Sequence, residues 1–128
     1  GDKEFIKKGK RIRKAMGGGM RQAGYLAAAG VYALDNHIVR LKDDHSRAKQ
    51  IENMLKECSF IENTLPVYTN IIYFDLIKTI TPQSFLQKLG DKKVKAAKTG
   101  LQRIRMVTHL DFNDDMLNDL NKILKNLY

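Results

Sequence analysis

The spacing of hydrophobic residues changes period along this chain after Cys58. That change sets the order in which helices and strands can occur. Upstream, Phe5, Ile6, Gly9, Ile12, Ala15 and Met16 recur three and four residues apart, which predicts a helix over 2–16 with Asp2 as its N-cap. Ile38, Leu41, His45, Ala48, Ile51, Leu55 and Cys58 mark one face of another helix over 37–58. Between them, Gly17-Gly18-Gly19 interrupts the pattern. Each glycine costs a helix interior about 1 kcal/mol relative to alanine, so a break is expected there. A further helix is expected from Met20 to about Asp35. Ala23, Gly24, Ala27, Ala28, Ala29, Gly30 and Ala33 leave it little side-chain bulk. Such a helix either packs tightly in an interior or meets another domain or subunit.

Downstream of Cys58 the run Phe60–Leu65, ended by Pro66, reads as a strand. Asn70–Leu76 is rich in β-branched and aromatic residues and reads as a central strand. Thr81-Pro82 is an N-cap followed by a first-turn proline, opening a helix with Phe85, Leu86 and Leu89 on its apolar stripe and Gly90 at its end. Val94–Ala97 and Arg103–Val107 are two more strand candidates. A last helix begins near Asn113 and buries Met116, Leu117, Leu120, Ile123, Leu124 and Leu127. The order ααα–ββ–α–ββ–α predicts an α/β chain: N-terminal helices, then a small three- to four-stranded, mainly antiparallel sheet with helices packed on one face. Residues 1–36 are expected to form interface helices with a glycine-rich turn, and residues 37–128 a small α/β domain.

Charge narrows the function. The chain has 128 residues, with 23 Lys and Arg against 14 Asp and Glu, a net +9. Residues 1–14 carry +5 and residues 88–105 carry +6, so the remainder is −2. Two basic segments suit an anionic partner, either a nucleic acid or a small phosphate or carboxylate. No aromatic residues interleave with the bases as a base-stacking platform requires. The single cysteine, Cys58, excludes an internal disulfide and a Cys-rich zinc site, and ending a core stripe it reads as inert. His37, His45 and His109 are 8 and 64 residues apart and form no metal-ligand set; His45 is expected to be semi-buried. No nucleophile–base pairing is legible. No apolar run approaches the ~20 residues that cross a bilayer, so neither a membrane nor a secreted disulfide scaffold is expected, and the expected compartment is the cytoplasm.

Two stretches can bind anions. In Lys14-Ala15-Met16-Gly17-Gly18-Gly19-Met20-Arg21-Gln22, a glycine turn entering a helix exposes backbone N–H groups, with Arg21 expected in the first helical turn and Lys14 seven residues earlier. This either brackets a phosphate or is a glycine hinge beside a solvated arginine. In Arg103-Ile104-Arg105-Met106-Val107, alternation puts Arg103 and Arg105 on one face, where a guanidinium can fork onto a carboxylate. The alternative is an exposed basic strand.

Arg11-Ile12-Arg13-Lys14, Gly17–Gly24, Leu26–Gly30 with Tyr32-Ala33-Leu34, Leu41 with Asp44-His45, Thr69-Asn70-Ile71 and Val107-Thr108-His109-Leu110-Asp111 together resemble the C-terminal third of the low-specificity L-threonine aldolases. These are pyridoxal-phosphate enzymes of the aspartate-aminotransferase-like fold. The resemblance implies the small C-terminal domain of such an enzyme, a homodimer or homotetramer, and cleavage of threonine or allo-threonine to glycine and acetaldehyde. The cofactor ring absorbs electrons as the Cα–Cβ bond breaks. The resemblance also places Arg105 on the carboxylate of the amino-acid substrate, and Arg21 and Lys14 at the phosphate of a cofactor bound mainly by a neighbouring subunit. It supplies no catalytic residue in this chain, because the Schiff-base lysine belongs to a large N-terminal domain with no counterpart here. Gly1-Asp2-Lys3-Glu4-Phe5-Ile6 resembles mid-protein sequence, so the chain is expected to be part of a longer enzyme, inactive alone. The alternative function is a basic nucleic-acid-binding or interaction module.

Overall fold

A computed structural model describes residues 1–128, which divide into two compact units, Gly1–Val39 and Arg40–Tyr128.

In the first unit, α1 spans Lys3–Arg13 and α2 spans Gly24–Asn36. Asp2 caps α1 as expected, its carboxylate accepting the Phe5 N–H at 2.7 Å. After α1 the chain continues through a widened turn, Lys14–Gly18, which breaks from helical geometry at Met16 and Gly17. Gly17 has φ +85°, a conformation a side chain resists. At Gly18 a Cβ would stand 2.9 Å from the Arg13 carbonyl oxygen. The glycines therefore serve one break in the helical backbone. The second helix starts later than its composition suggests: Gln22 takes φ +53°, and α2 begins only at Gly24. No residue of α1, the turn or α2 is buried in this chain. Phe5, Ile12, Tyr25, Leu26, Tyr32 and Leu34 are all exposed.

The second unit has an ordinary core. Helix α3 spans Leu41–Lys56, β1 Ile61–Thr64, β2 Ile71–Leu76, α4 Pro82–Asp91, β3 Ala97–Lys98, β4 Arg103–Val107 and α5 Asp114–Lys125. The sheet is antiparallel throughout, in the order β1-β2-β4-β3. Strand alternation gives it two faces. Ile72, Phe74 and Leu76 of β2 and Ile104 and Met106 of β4 are buried with Ile51 and Leu55 of α3, Phe85 and Leu89 of α4, and Leu117, Leu120 and Leu124 of α5. The opposite face carries Ile71, Tyr73, Asp75, Arg103, Arg105 and Val107, none of them buried. Phe74 meets Phe85 edge-on, with centroids 5.9 Å apart, and Phe85 in turn leans on Phe60.

Thr81 caps α4 as the sequence predicts, accepting the N–H of Ser84 at 3.2 Å, and Asn113, near which the last helix is expected to begin, caps α5 by accepting the N–H of Met116 at 2.9 Å. Four expectations shift. Helix α3 begins at Leu41 because residues 37–40 form turns, and His45 is exposed while its neighbour Asp44 is buried. Helix α4 runs through Gly90, and Lys93, at φ +62°, makes the left-handed turn that ends it. The edge strand β3 therefore starts at Ala97 rather than Val94.

Candidate functional site

Arg105 stands at the middle of β4, and both ends of that strand are fastened. At its start, the Gln102 side-chain amide donates to the carbonyls of Ile77 at 2.9 Å and Ile80 at 3.0 Å. At its end, the buried Thr108 hydroxyl donates to the Asp44 carbonyl at 2.8 Å. Thr108 and Asn70 are also joined directly: the Thr108 N–H donates to the Asn70 carbonyl at 3.0 Å, the Asn70 side chain donates to the Thr108 carbonyl at 2.8 Å, and the Thr108 hydroxyl lies 3.5 Å from the Asn70 carbonyl. Asp44 itself is gripped by Arg40 through two bonds of 2.6 and 3.0 Å. Sequence positions 44, 70 and 108 thus meet at one junction, although sequence separation gives no hint of it. Replacing Thr108 with valine keeps its shape and removes the hydroxyl that joins β4 to the Asp44 carbonyl of α3. We expect a loss of about 0.5–1.5 kcal/mol of stability, read by urea unfolding. Thr108→Ser should retain most of the stability, and equal midpoints for the two variants would remove this role.

The two arginines of β4 share the open face, as alternation predicts, but their circumstances differ. Arg103 lies opposite Asp75 and forks onto it, Nε and Nη2 each 2.8 Å from a carboxylate oxygen. This fork holds the Asp75 carboxyl below the ordinary carboxylate range, against the upward push of its burial. Arg105 lies opposite Tyr73 on β2 and Ala97 on β3, is exposed, and takes part in no ion pair or side-chain hydrogen bond. It is the one guanidinium on this face able to receive an outside carboxylate. Two clefts of this unit, of about 530 and 490 Å³, lie elsewhere, the first around Asp43, Arg47 and Asp114 and the second under Lys93, Met106 and Phe112. Neither includes Arg105, which sits on an open sheet face rather than in a closed pocket.

Lys14 caps the C-terminus of α1, and Arg21 lies in the turn ahead of α2, not in its first turn. Both are exposed. They belong to the first unit and Arg105 to the second. The remaining candidates take structural roles. The Nδ1 of His109 accepts the Asp111 N–H at 3.2 Å, so the imidazole stabilises its own turn. Cys58 donates to the Met54 carbonyl at 3.2 Å, and burial pushes its thiol pKa up, away from nucleophilic use. Glu52, also missed in the sequence, is a buried carboxylate of α3 bonded to Lys56 at 2.6 Å. Lys49 lies equally close but poorly aligned for a hydrogen bond, and so acts as a charge partner. Together these lysines hold the Glu52 carboxyl below its ordinary range.

No helix is long and apolar enough to cross a membrane. The sequence model of the beta-eliminating lyase family matches residues 1–79. A probable low-specificity L-threonine aldolase 2 of Arabidopsis thaliana is 36% identical over 117 residues, covering 89% of this chain and 33% of the relative. The low specificity L-threonine aldolase of Escherichia coli K12 is 33% identical over 121 residues, covering 94% of this chain and 34% of the relative. The chain thus spans about a third of the length of the curated relatives it matches. Among solved structures, a C-DES mutant with glycine covalently linked to its PLP cofactor superposes with a TM-score of 0.58 at 15% identity, over 68% of this chain and 23% of that one. Plasmodium falciparum ornithine delta-aminotransferase gives a TM-score of 0.51 at 9% identity, over 62% of this chain and 20% of that one. Those two likenesses establish a shared fold, and the match over residues 1–79 establishes more: the chain belongs to the beta-eliminating lyase family.

Proposed function

We propose that this chain is the C-terminal portion of a pyridoxal-phosphate-dependent lyase that cleaves threonine or allo-threonine to glycine and acetaldehyde. The observation that carries the reading is the uncommitted Arg105 at the centre of a fastened strand, in a chain whose relatives are named as threonine aldolases. A basic nucleic-acid-binding or interaction module is not favoured by those relatives.

Each unit offers, by itself, donors suited to one kind of anion. An exposed guanidinium held on a strand suits a carboxylate, which it binds through two parallel N–H bonds. Arg105 then fixes the substrate by its carboxylate and orients the Cα–Cβ bond. Arg21 and Lys14, exposed cations on either side of the glycine break, suit a phosphate dianion and would anchor the cofactor. When bound, that cofactor supplies an electron-accepting ring for the bond that breaks. The exposed apolar side chains of α1 and α2 support burial against the large N-terminal domain and a neighbouring subunit, as in a homodimer or homotetramer. The single free cysteine suits a cytoplasmic setting.

The test is an assay of the complete protein containing this chain, loaded with pyridoxal phosphate, with glycine and acetaldehyde measured from L-threonine and L-allo-threonine. Stoichiometric release of both products is the expected result. A cofactor-loaded protein that releases neither overturns the assignment.

A further inference from the structure

The open face of the sheet holds one carboxylate and two guanidiniums within a single patch of β2 and β4. Asp75 is opposite Arg103, and Tyr73 is opposite Arg105. Asp75 and Arg105 are therefore diagonal neighbours on the same face, a spacing that long side chains cover. On the other side of Asp75, β1 presents Asn63, which carries no charge. An unoccupied carboxylate in this position would pair with Arg105 and block it. In the structure both Asp75 oxygens are taken by Arg103 at 2.8 Å.

We infer that Arg103 masks Asp75 and so keeps Arg105 available to the carboxylate of an incoming amino acid. The inference rests on the reading of Arg105 given above, and it makes Arg103 a positioning residue that never touches substrate. The geometry favours this division of labour. Arg103 is directly across from Asp75 and closes a two-bond fork, whereas Arg105 could reach the same carboxylate only diagonally. The fork therefore forms in preference, and it leaves a surplus positive charge at position 105.

Removing the mask should release an internal competitor. In the complete cofactor-loaded protein, Arg103→Gln is expected to raise KM for threonine about fivefold, the effect of a competing ion pair worth up to about 1 kcal/mol, with kcat little changed. Glycine affinity, measured by calorimetry, should fall by the same factor. Adding Asp75→Asn to Arg103→Gln should restore both, and Asp75→Asn alone should raise neither. A crystal structure of the Arg103→Gln protein should show Asp75 turned onto Arg105. A merely structural ion pair predicts the reverse order: Asp75→Asn as harmful as Arg103→Gln, and the double variant no better than either. That result overturns the masking role, as does an Arg103→Gln protein with unaltered KM and glycine affinity. If Arg103→Gln does not fold, Arg103→Met, which keeps the aliphatic stem and also frees the Asp75 carboxylate, is read in its place against the same outcomes. Arg105→Ala is the separate control. Unchanged glycine affinity in that variant removes the carboxylate reading itself, whereas its loss alongside a silent Arg103→Gln removes masking only.

Discussion

Arg105→Ala in the complete cofactor-loaded protein is expected to reduce kcat/KM for threonine by about 30- to 5,000-fold, corresponding to roughly 2–5 kcal/mol for losing one partner of a charge pair that the rest of the complete protein would close off from water. The strand that carries Arg105 is tied at Gln102 and Thr108, so the backbone should not shift to bring another cation into place. Arg103, the nearest candidate on the same face, is already committed to Asp75. Arg105→Lys should recover part of the loss, because a lysine keeps the charge but not the planar fork. Steady-state kinetics check the prediction, with circular dichroism confirming that the variant folds. Kinetics equal to the parent protein would show that the substrate carboxylate is held elsewhere.

The second large effect concerns stability. Phe74→Ala should destabilise the Arg40–Tyr128 unit by about 3–5 kcal/mol. Phe74 is fully buried at the centre of the sheet, and its ring meets Phe85 at an interplanar angle of 76°, so truncation removes both buried area and an edge-to-face contact. Domains of this size are stable by only about 5–15 kcal/mol. The melting temperature should fall by at least about 12 °C, taking roughly 4 °C per kcal/mol as the lower conversion. Phe74→Leu, which leaves a smaller void, should fall less. A melting curve for Phe74→Ala within a few degrees of the parent would mean that the core does not depend on this ring.

Local chemistry was legible in the sequence and distant pairing was not. The caps at Asp2 and Thr81 follow from a side chain and an N–H three residues away, so reading the chain in order finds them. The faces of β2 and β4 follow from alternation alone. The start of α2 at Gly24 and the end of α4 at Asp91 are not legible because Gln22 and Lys93 adopt left-handed backbone conformations, a choice usually signalled by glycine or asparagine. His45 was misplaced because helical spacing extended a stripe into a first turn whose buried member is the charged Asp44, a position made tolerable by Arg40. The fork between Asp75 and Arg103 joins residues 28 apart and exists only because of the strand register. Sequence spacing placed both arginines on the correct face and offered no means of choosing between them. The register does, by occupying one.

The fastening of β4 at both ends has a practical consequence for redesign. Position 105 behaves as a socket whose address is set by its neighbours' backbone bonds, so the group mounted there can be exchanged without relocating it. An acidic or neutral amide side chain at that position would present a different head group to the same point in space. Selection for amines or amides in place of carboxylic acids would reasonably begin at this residue, leaving positions 102 and 108 untouched.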